Sequence, residues 1–228
     1  MQVPASLLSD LVRGIRIEAA EVLAGRTSGE FPSDLSTAFE HATNEYIAAQ
    51  EFNADRPEAH LNLALLFARK GKIDRAEAEL KTAVSIDPSF APAAVNLADL
   101  YRESGREADG EAVLTAALQR SPHDASLLHS LGLLMVRQKQ NMKALELLGA
   151  AAHSDPASAR YAFVYAVALH DTGRTKDSIN ILEGSIKAHP YDRDTLAALV
   201  DWWNEAGDQS KALAYTQRLN QLDAKVDR

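Results

Sequence analysis

The chain has 228 residues, contains no cysteine and carries a formal net charge of −8 at pH 7. The lack of cysteine excludes disulfides, thiolate metal sites and cysteine nucleophiles, and it is compatible with either the cytosol or the periplasm. The acidic balance argues against a general binder of nucleic acids or of anionic membranes. No apolar run approaches the roughly 20 residues that a membrane span needs, and residues 1–10 lack the pattern of a signal peptide.

The first predicted element is an amphipathic helix within residues 1–25. Leu11, Ile15, Ala19 and Val22 recur at helical spacing, so we expect them to line one face of this helix. The segment resembles the second half of a HEAT repeat in the order of seven residues: Asp10, Val12, Arg13, Ile17, Ala19, Ala20 and Leu23. Two interpretations stay open, a HEAT-like half-repeat and a simple cap on the helices that follow.

Residues 26–34 are predicted to form a loop, because glycine, serine and proline are concentrated there. Residues 35–56 are predicted to contain a helix with Ala42, Tyr46 and Ala49 on one face. The same order of small, large and small residues recurs on the second helix of each repeat described below. A matching first helix is missing from the pattern, so this segment is predicted to be a partial repeat.

A 34-residue repeat occupies the rest of the chain. Four prolines are separated by this interval: Pro88, Pro122, Pro156 and Pro190. Four glycines keep to the same register, with Lys139 where a fifth is expected: Gly71, Gly105, Gly173 and Gly207. The resulting repeats span residues 57–90, 91–124, 125–158, 159–192 and 193–228, and the last is a degenerate repeat with a C-terminal cap.

Each repeat is predicted to form two antiparallel helices. Large apolar residues fill positions 7, 11 and 24, with Thr216 as the exception, and small residues fill positions 8, 20 and 27 in the first four repeats, which gives each helix an apolar face. The small residues allow the helix axes to approach toward the short end of the usual range of about 8–10 Å. Glycine at position 15 suits the left-handed residue that ends the first helix, and proline at position 32 cannot continue the second. Asp124, Ser158 and Asp192 then stand at N-cap positions, a role that Phe90 does not fit.

These columns resemble those of the tetratricopeptide repeat. The resemblance covers residues 57–226, where five repeats agree in register, although the usual tryptophan at position 4 is absent. It implies an all-α fold, a right-handed superhelical α-solenoid of antiparallel helix pairs.

The resemblance also implies a binding surface, because first-helix positions 2, 5, 6, 9, 12 and 13 line the concave groove of this family. The polar residues at those positions are candidates for contacting a peptide: Asn62, Arg69, Asn96, Asp99, Arg102, His129, Arg137, Arg160 and His170. Arginines could bind the carboxylates of an extended segment; the alternative is that these side chains are only a solvated lining. Members that bind chaperone tails have a lysine at position 5, where Leu61 and Val95 stand here. Binding of such tails is therefore not expected.

No catalytic, metal or cofactor motif is present in the sequence. The seven histidines do not form HExxH or another tight metal spacing, and nucleotide-binding glycine motifs are absent. We therefore predict a non-catalytic scaffold that needs no cofactor and binds a protein or peptide partner, with an acidic segment as the natural complement of the arginines. Nucleic acid and membrane insertion are not expected, and a second copy of the chain is a further candidate partner through the terminal helices.

The chain has a second possible interpretation, because a HEAT-like segment precedes its tetratricopeptide repeats. Several bacterial multihaem cytochromes share that order, so the chain also resembles the C-terminal docking or oligomerisation region of a larger exported redox protein. The compartment depends on the choice: the cytoplasm for the chain as it stands, and the periplasm for a fragment of an exported parent. Repeats appended to a catalytic domain form a third class, which we do not favour because the repeats fill the chain.

Overall fold

The computed structural model describes residues 5–26 and 28–226. Within these ranges it contains twelve α-helices, two short 3₁₀ helices and no β-strand. The prediction of an all-α helical-repeat fold is therefore confirmed. The chain divides into two compact units, one ending at Arg120 (unit 1) and one beginning at Ser121 (unit 2).

Unit 1 contains a 3₁₀ helix at Ala5–Ser9, a second one at Ser28–Glu30, and six α-helices. The α-helices are α1 (Arg13–Val22), α2 (Ser33–Glu51), α3 (Pro57–Arg69), α4 (Ile73–Ile86), α5 (Ala91–Glu103) and α6 (Glu107–Arg120). Consecutive helices pack as the pairs α1–α2, α3–α4 and α5–α6. The second and third pairs are the repeats that begin at Pro57 and Ala91.

Unit 2 contains three further helix pairs. They are formed by α7 (Ala125–Arg137) with α8 (Asn141–Ser154), α9 (Ala159–Asp171) with α10 (Thr175–Ala188), and α11 (Arg193–Glu205) with α12 (Gln209–Val226). The helices α4, α6, α8 and α10 each end two residues before the proline of their repeat. Proline lacks the N–H that a further helical turn would need, so it fixes the end of each second helix.

The turn inside each repeat contains the left-handed residue that the sequence predicts. The φ angle at the four glycines of this column lies between +69° and +82°. Lys139, which replaces the glycine of the third repeat, has a φ of +59°, and no other non-glycine residue in the described ranges has a positive φ. Because a Cβ atom crowds the backbone in this conformation, the third repeat has a strained turn.

Side-chain caps begin three of the first helices, as the sequence predicts. Their oxygens accept hydrogen bonds from backbone N–H groups of the first helical turn at 2.8–3.4 Å: Asp124, Ser158 and Asp192. Phe90, in the same column, provides no such bond to α5. The turn before it is held by Asp87, whose carboxylate accepts the N–H of Ser89 at 2.8 Å and its hydroxyl at 2.6 Å.

The columns of small residues mark close helix crossings. A Cβ atom placed on Gly132 of α7 would lie 2.8 Å from the side chain of Leu148 on α8. A Cβ atom on Gly110 of α6 would lie 3.3 Å from the carbonyl oxygen of Ala98 on α5. Both distances are tight, so glycine at these crossings lets the paired helices approach each other.

The N-terminal segment packs differently from its prediction. Of the four residues of the expected face, Ala19 is buried, whereas Leu11 is 98% exposed and Val22 is 53% exposed. The residues that pack into the core of this segment are small or come from the 3₁₀ helix: Leu8, Ala19 and Ala20. They meet Phe39 and Ala42 of α2, so α1 occupies the place of the first helix that the sequence pattern lacked.

Polar contacts explain this orientation of α1. The Arg16 guanidinium donates to the carboxylate of Glu45 on α2 at 2.6 and 2.8 Å, and to the carbonyl oxygen of Asp10 at 2.7 Å. The Asp10 carboxylate accepts the N–H of Val12 at 2.8 Å, just before α1 begins. These bonds break the predicted helix before Arg13 and turn its alanine face toward α2.

Candidate functional site

The nine candidate residues lie on first helices in both units. Positions 2, 5, 6, 9, 12 and 13 of the first helices of one unit are here called the first-helix face of that unit. In unit 1 this face includes five candidates on α3 and α5: Asn62, Arg69, Asn96, Asp99 and Arg102. In unit 2 it includes four candidates on α7 and α9: His129, Arg137, Arg160 and His170.

The two candidates on α3 already have partners within unit 1. The Asn62 amide donates to the side-chain oxygen of Gln50 at 3.2 Å. The Arg69 guanidinium donates to the backbone carbonyl oxygen of Glu21 at 3.1 Å. Both side chains therefore connect α3 to the helices that precede it.

The three candidates on α5 bond within their own helix. The Asn96 amide donates to the carbonyl oxygen of Pro92 at 2.8 Å. The Arg102 guanidinium lies 3.3 Å from the Asp99 carboxylate and 3.2 Å from the Glu103 carboxylate. Two carboxylates thus balance the one cation, so this face of α5 lacks the excess positive charge that a bound acidic segment would require.

In unit 2, His129 is buried and uncharged at neutral pH. Its side chain is 5% exposed, and its ring centroid lies 4.8 Å from that of Tyr161 on α9. Burial lowers the pKa of His129 to about 4, and the nearby Arg160 guanidinium acts in the same direction. The buried His129 ring therefore packs against Tyr161 of α9, and the positive charge near it is that of the exposed Arg160.

His170 joins α9 to α11. Its Nε2 atom lies 2.6 Å from a carboxylate oxygen of Glu205, and its ring stacks on Trp202 with centroids 4.6 Å apart and planes inclined by 6°. Arg137 is the last residue of α7 and is exposed. The first helices of unit 2 are thus connected side by side, with Arg137 and Arg160 on their surface.

The structure adds apolar residues that our sequence reasoning did not select. Five of them occupy first-helix positions 5, 6, 9 or 12 in unit 2 and are partly exposed: Leu133, Val136, Phe163, Val164 and Val167. We call this set the apolar row; its most exposed member, Val136, is 41% exposed. The signal was present in the sequence, because these residues stand at the same positions as the polar candidates. The sequence-based prediction included only residues that can form hydrogen bonds, so these apolar residues were not among the candidates.

The described ranges show neither a metal centre nor a membrane span. No group of three or more histidine, aspartate or glutamate side chains within residues 5–26 and 28–226 is arranged to hold a metal ion. None of the helices described there combines the length and apolar character needed to cross a bilayer.

Comparison with protein families identifies the repeat. A tetratricopeptide-repeat model matches residues 39–91 and 129–193, more than half of the chain. A second tetratricopeptide-repeat model matches residues 67–132. The comparison with curated protein sequences returned no match.

Solved structures with the same fold include MamA and YrrB. A crystal structure of MamA superposes with a TM-score of 0.63 at 17% identity, covering 72% of this chain and 96% of MamA. YrrB, described as a TPR protein with an unusual peptide-binding site, gives a TM-score of 0.57 at 19% identity, covering 77% of this chain and 90% of YrrB. These similarities show the fold, and they give no support to the interpretation as a region of a multihaem cytochrome.

Proposed function

The chain belongs to the tetratricopeptide-repeat family, and from this premise we propose that it is a non-catalytic protein–protein interaction scaffold. In this proposal, a segment of a partner protein binds to the first-helix face of unit 2. The observation that carries the proposal is the apolar row, which has the exposed cations Arg137 and Arg160 on the same helices. The described peptide-binding site of the similar protein YrrB is consistent with this kind of function.

The composition of the face predicts the chemistry of the partner segment. Apolar side chains of the segment would cover the apolar row, and removal of apolar surface from water contributes about 25 cal/mol per Å². Carboxylates of the segment would pair with Arg137 and Arg160, and each charge-assisted hydrogen bond contributes about 1.5–3 kcal/mol once the bound segment excludes water from it, compared with about 0–1 kcal/mol for a pair that stays exposed. The five candidates of unit 1 are assigned to a solvated lining, because those on α3 connect it to the preceding helices and those on α5 bond within their own helix, where two carboxylates balance one cation.

Peptide display against the full chain, followed by titration of the peptides it selects, tests this proposal. We expect Val136→Gln and Arg160→Gln each to weaken binding at least tenfold, which corresponds to about 1.4 kcal/mol. Val22→Gln and Arg13→Gln on α1 make the same chemical changes at exposed positions of unit 1 and serve as matched controls. They should change the affinity less than twofold.

Salt provides a second measurement on the same peptides. Charges on a surface are screened beyond about 8–10 Å near physiological ionic strength, so added salt should weaken the binding of acidic peptides. Selected peptides that bind Val136→Gln and Arg160→Gln as tightly as the unmodified chain would refute the assignment of this face.

A second copy of the chain remains the other proposed partner. Leu213 on the terminal helix α12 is 58% exposed, and such a side chain could pack against a neighbouring copy. Sedimentation velocity of the full chain and of Leu213→Asp would measure this association. A monomer at all concentrations would eliminate this alternative.

A further inference from the structure

A cleft of about 290 Å³ in unit 1 brings three cations together. It lies between α2 and the turn that joins α3 to α4, and it is lined by Lys70, Lys72 and Arg75 with a single carboxylate, that of Glu40. Within the described ranges, none of the three cations forms an ion pair. The cleft therefore has an excess of positive charge in a protein whose net charge is −8.

In two other repeats, an aspartate neutralises the cation that stands at the position of Lys72. The first repeat has no such aspartate. At the repeat position of Lys72, Arg106 donates to Asp109 at 2.8 Å. Arg174 and Asp177, at the same two positions two repeats later, form the same bond at 2.8 Å. In the first repeat, the residue at the position of these aspartates is Arg75. The repeat fold therefore does not require this accumulation of cations, because it forms equally well with a neutralised pair.

Aromatic rings contact two of the three cations, Lys70 and Arg75. The Arg75 guanidinium carbon lies 3.9 Å from the ring centroid of Phe67, and Lys70 Nζ lies 4.7 Å from that of Phe39. A guanidinium over an aromatic ring can still donate its N–H groups to an acceptor that lies in the guanidinium plane. Lys72 immediately precedes α4, whose N-terminal N–H groups also favour an anion.

Thr43 also lines the cleft, and its buried hydroxyl has no partner within the described ranges. The residue is 5% exposed. The hydroxyls of Thr37, Thr82 and Thr172 each donate to the carbonyl oxygen four residues earlier, at 3.0–3.1 Å. A buried polar group that lacks a partner costs free energy, so a ligand that accepts a hydrogen bond from Thr43 would be stabilised here.

We propose that this cleft binds a phosphate group, carried by a small molecule or by a phosphorylated side chain of a partner protein. A phosphate monoester carries close to two negative charges at neutral pH and has three acceptor oxygens. It matches an excess of two cations and a hydroxyl donor, whereas a single carboxylate would leave positive charge unbalanced. The site lies outside the first-helix face of unit 2, so it stands independently of peptide binding there.

The test is a titration of the full chain with inorganic phosphate at constant ionic strength, in which the backbone amide NMR signals are recorded at each phosphate concentration. We expect saturable shifts confined to residues 40–47 and 70–76. Lys72→Gln, Arg75→Gln and Thr43→Val should each raise the dissociation constant at least tenfold. Thr43→Ser keeps the hydroxyl and should retain most of the affinity, which separates the loss of a donor from a general disturbance of the cleft.

Lys143→Gln is the matched control. Lys143 occupies in the third repeat the position that Arg75 occupies in the first, and its replacement removes the same charge from an exposed site in unit 2. It should change the dissociation constant less than twofold. Shifts that do not saturate, or equal losses in Lys143→Gln and Lys72→Gln, would mean that only general charge attraction operates, and the proposal would fall.

A second probe distinguishes the two sources of phosphate. N-acetyl phosphoserine amide presents the group as it occurs on a partner protein, and its unphosphorylated form serves as the control. Tighter binding of the phosphoserine than of inorganic phosphate supports a phosphorylated side chain. Equal or weaker binding supports a small phosphorylated molecule. Binding of the unphosphorylated form with the same affinity would overturn the proposal.

Discussion

Mild acid should destabilise this protein through His129. The pKa of this buried ring is lowered to about 4, from an ordinary value of 6.5. As the pH falls below 6.5, the unfolded chain takes up a proton at this residue, whereas the folded chain does not until the pH approaches 4. The unfolded state thus binds more protons in this window, so the free energy of unfolding decreases as the pH falls from 6.5 toward 4.

The size of the effect follows from the two pKa values. One unit of pKa difference corresponds to about 1.36 kcal/mol between the protonation states. At pH 5 the site is almost fully protonated in the unfolded chain and largely unprotonated in the folded one. The difference amounts to roughly 2 kcal/mol relative to pH 7.5, where both states are neutral. Since small domains have a total stability of about 5–15 kcal/mol, this change is readily measured.

Urea unfolding at pH 7.5 and pH 5.0 provides the assay. The matched variant is His129→Leu, because the first repeat has Leu61 at the same position. We expect its stability to change with pH by about 2 kcal/mol less than that of the unmodified chain. His123→Gln removes an exposed histidine and should preserve the full pH dependence. An identical pH dependence in His129→Leu and the unmodified chain would refute the reasoning, as would an NMR titration of His129 with a midpoint near 6.5.

Three further substitutions test the fold. Lys139→Gly should be neutral or stabilising by up to about 1 kcal/mol in thermal unfolding, because relief of the left-handed strain offsets the entropy of glycine; a clear loss would contradict the strained turn. Ala117→Leu should cost about 1–3 kcal/mol, since Ala117 is 3% exposed in a crossing of small residues, and an unchanged melting temperature would contradict this packing. Thr195→Val should raise the free energy of unfolding by about 1 kcal/mol, because it removes a buried hydroxyl that has no partner in the described ranges; a loss in urea unfolding would show that the hydroxyl is satisfied.

The repeat could be predicted from sequence because local backbone chemistry determines its markers. A residue at position 15 must adopt a positive φ whatever packs around it, so the glycine column and the exception at Lys139 were both visible. An N-cap requires only a side-chain oxygen beside its own first turn, which made Asp124 and Asp192 predictable. These features depend on neighbours within a few residues, and the sequence contains those neighbours.

The sequence could not predict contacts between residues that are far apart along the chain. The face of α1 that packs is selected by Arg16 and Glu45, which are 29 residues apart, and Leu11 is left exposed as a result. The candidate binding residues show the same limit. Arg69 occupied a groove position, and nothing in the helical pattern indicated that its guanidinium would donate to the carbonyl oxygen of Glu21, which is 48 residues earlier in the chain. A repeat pattern places side chains on a face and does not determine which of them remain available.

The repeat also supplies a comparison that a single domain lacks. Lys211, in the fifth repeat, is a cation at the position of Arg75, and its Nζ atom lies 3.7 Å from the carboxylate of Glu183 and 3.7 Å from the ring centroid of Trp203. A cation at this position is therefore compatible with the fold when a carboxylate accompanies it. In the first repeat, Lys72 and Arg75 line a cleft together with a buried hydroxyl and lack such a partner. Lys143, at this position of the third repeat, also lacks an ion pair within the described residues, but the neutral Gln140 stands there at the position of Lys72. The pair of cations without a carboxylate partner is therefore particular to the first repeat, and a ligand anion would balance it.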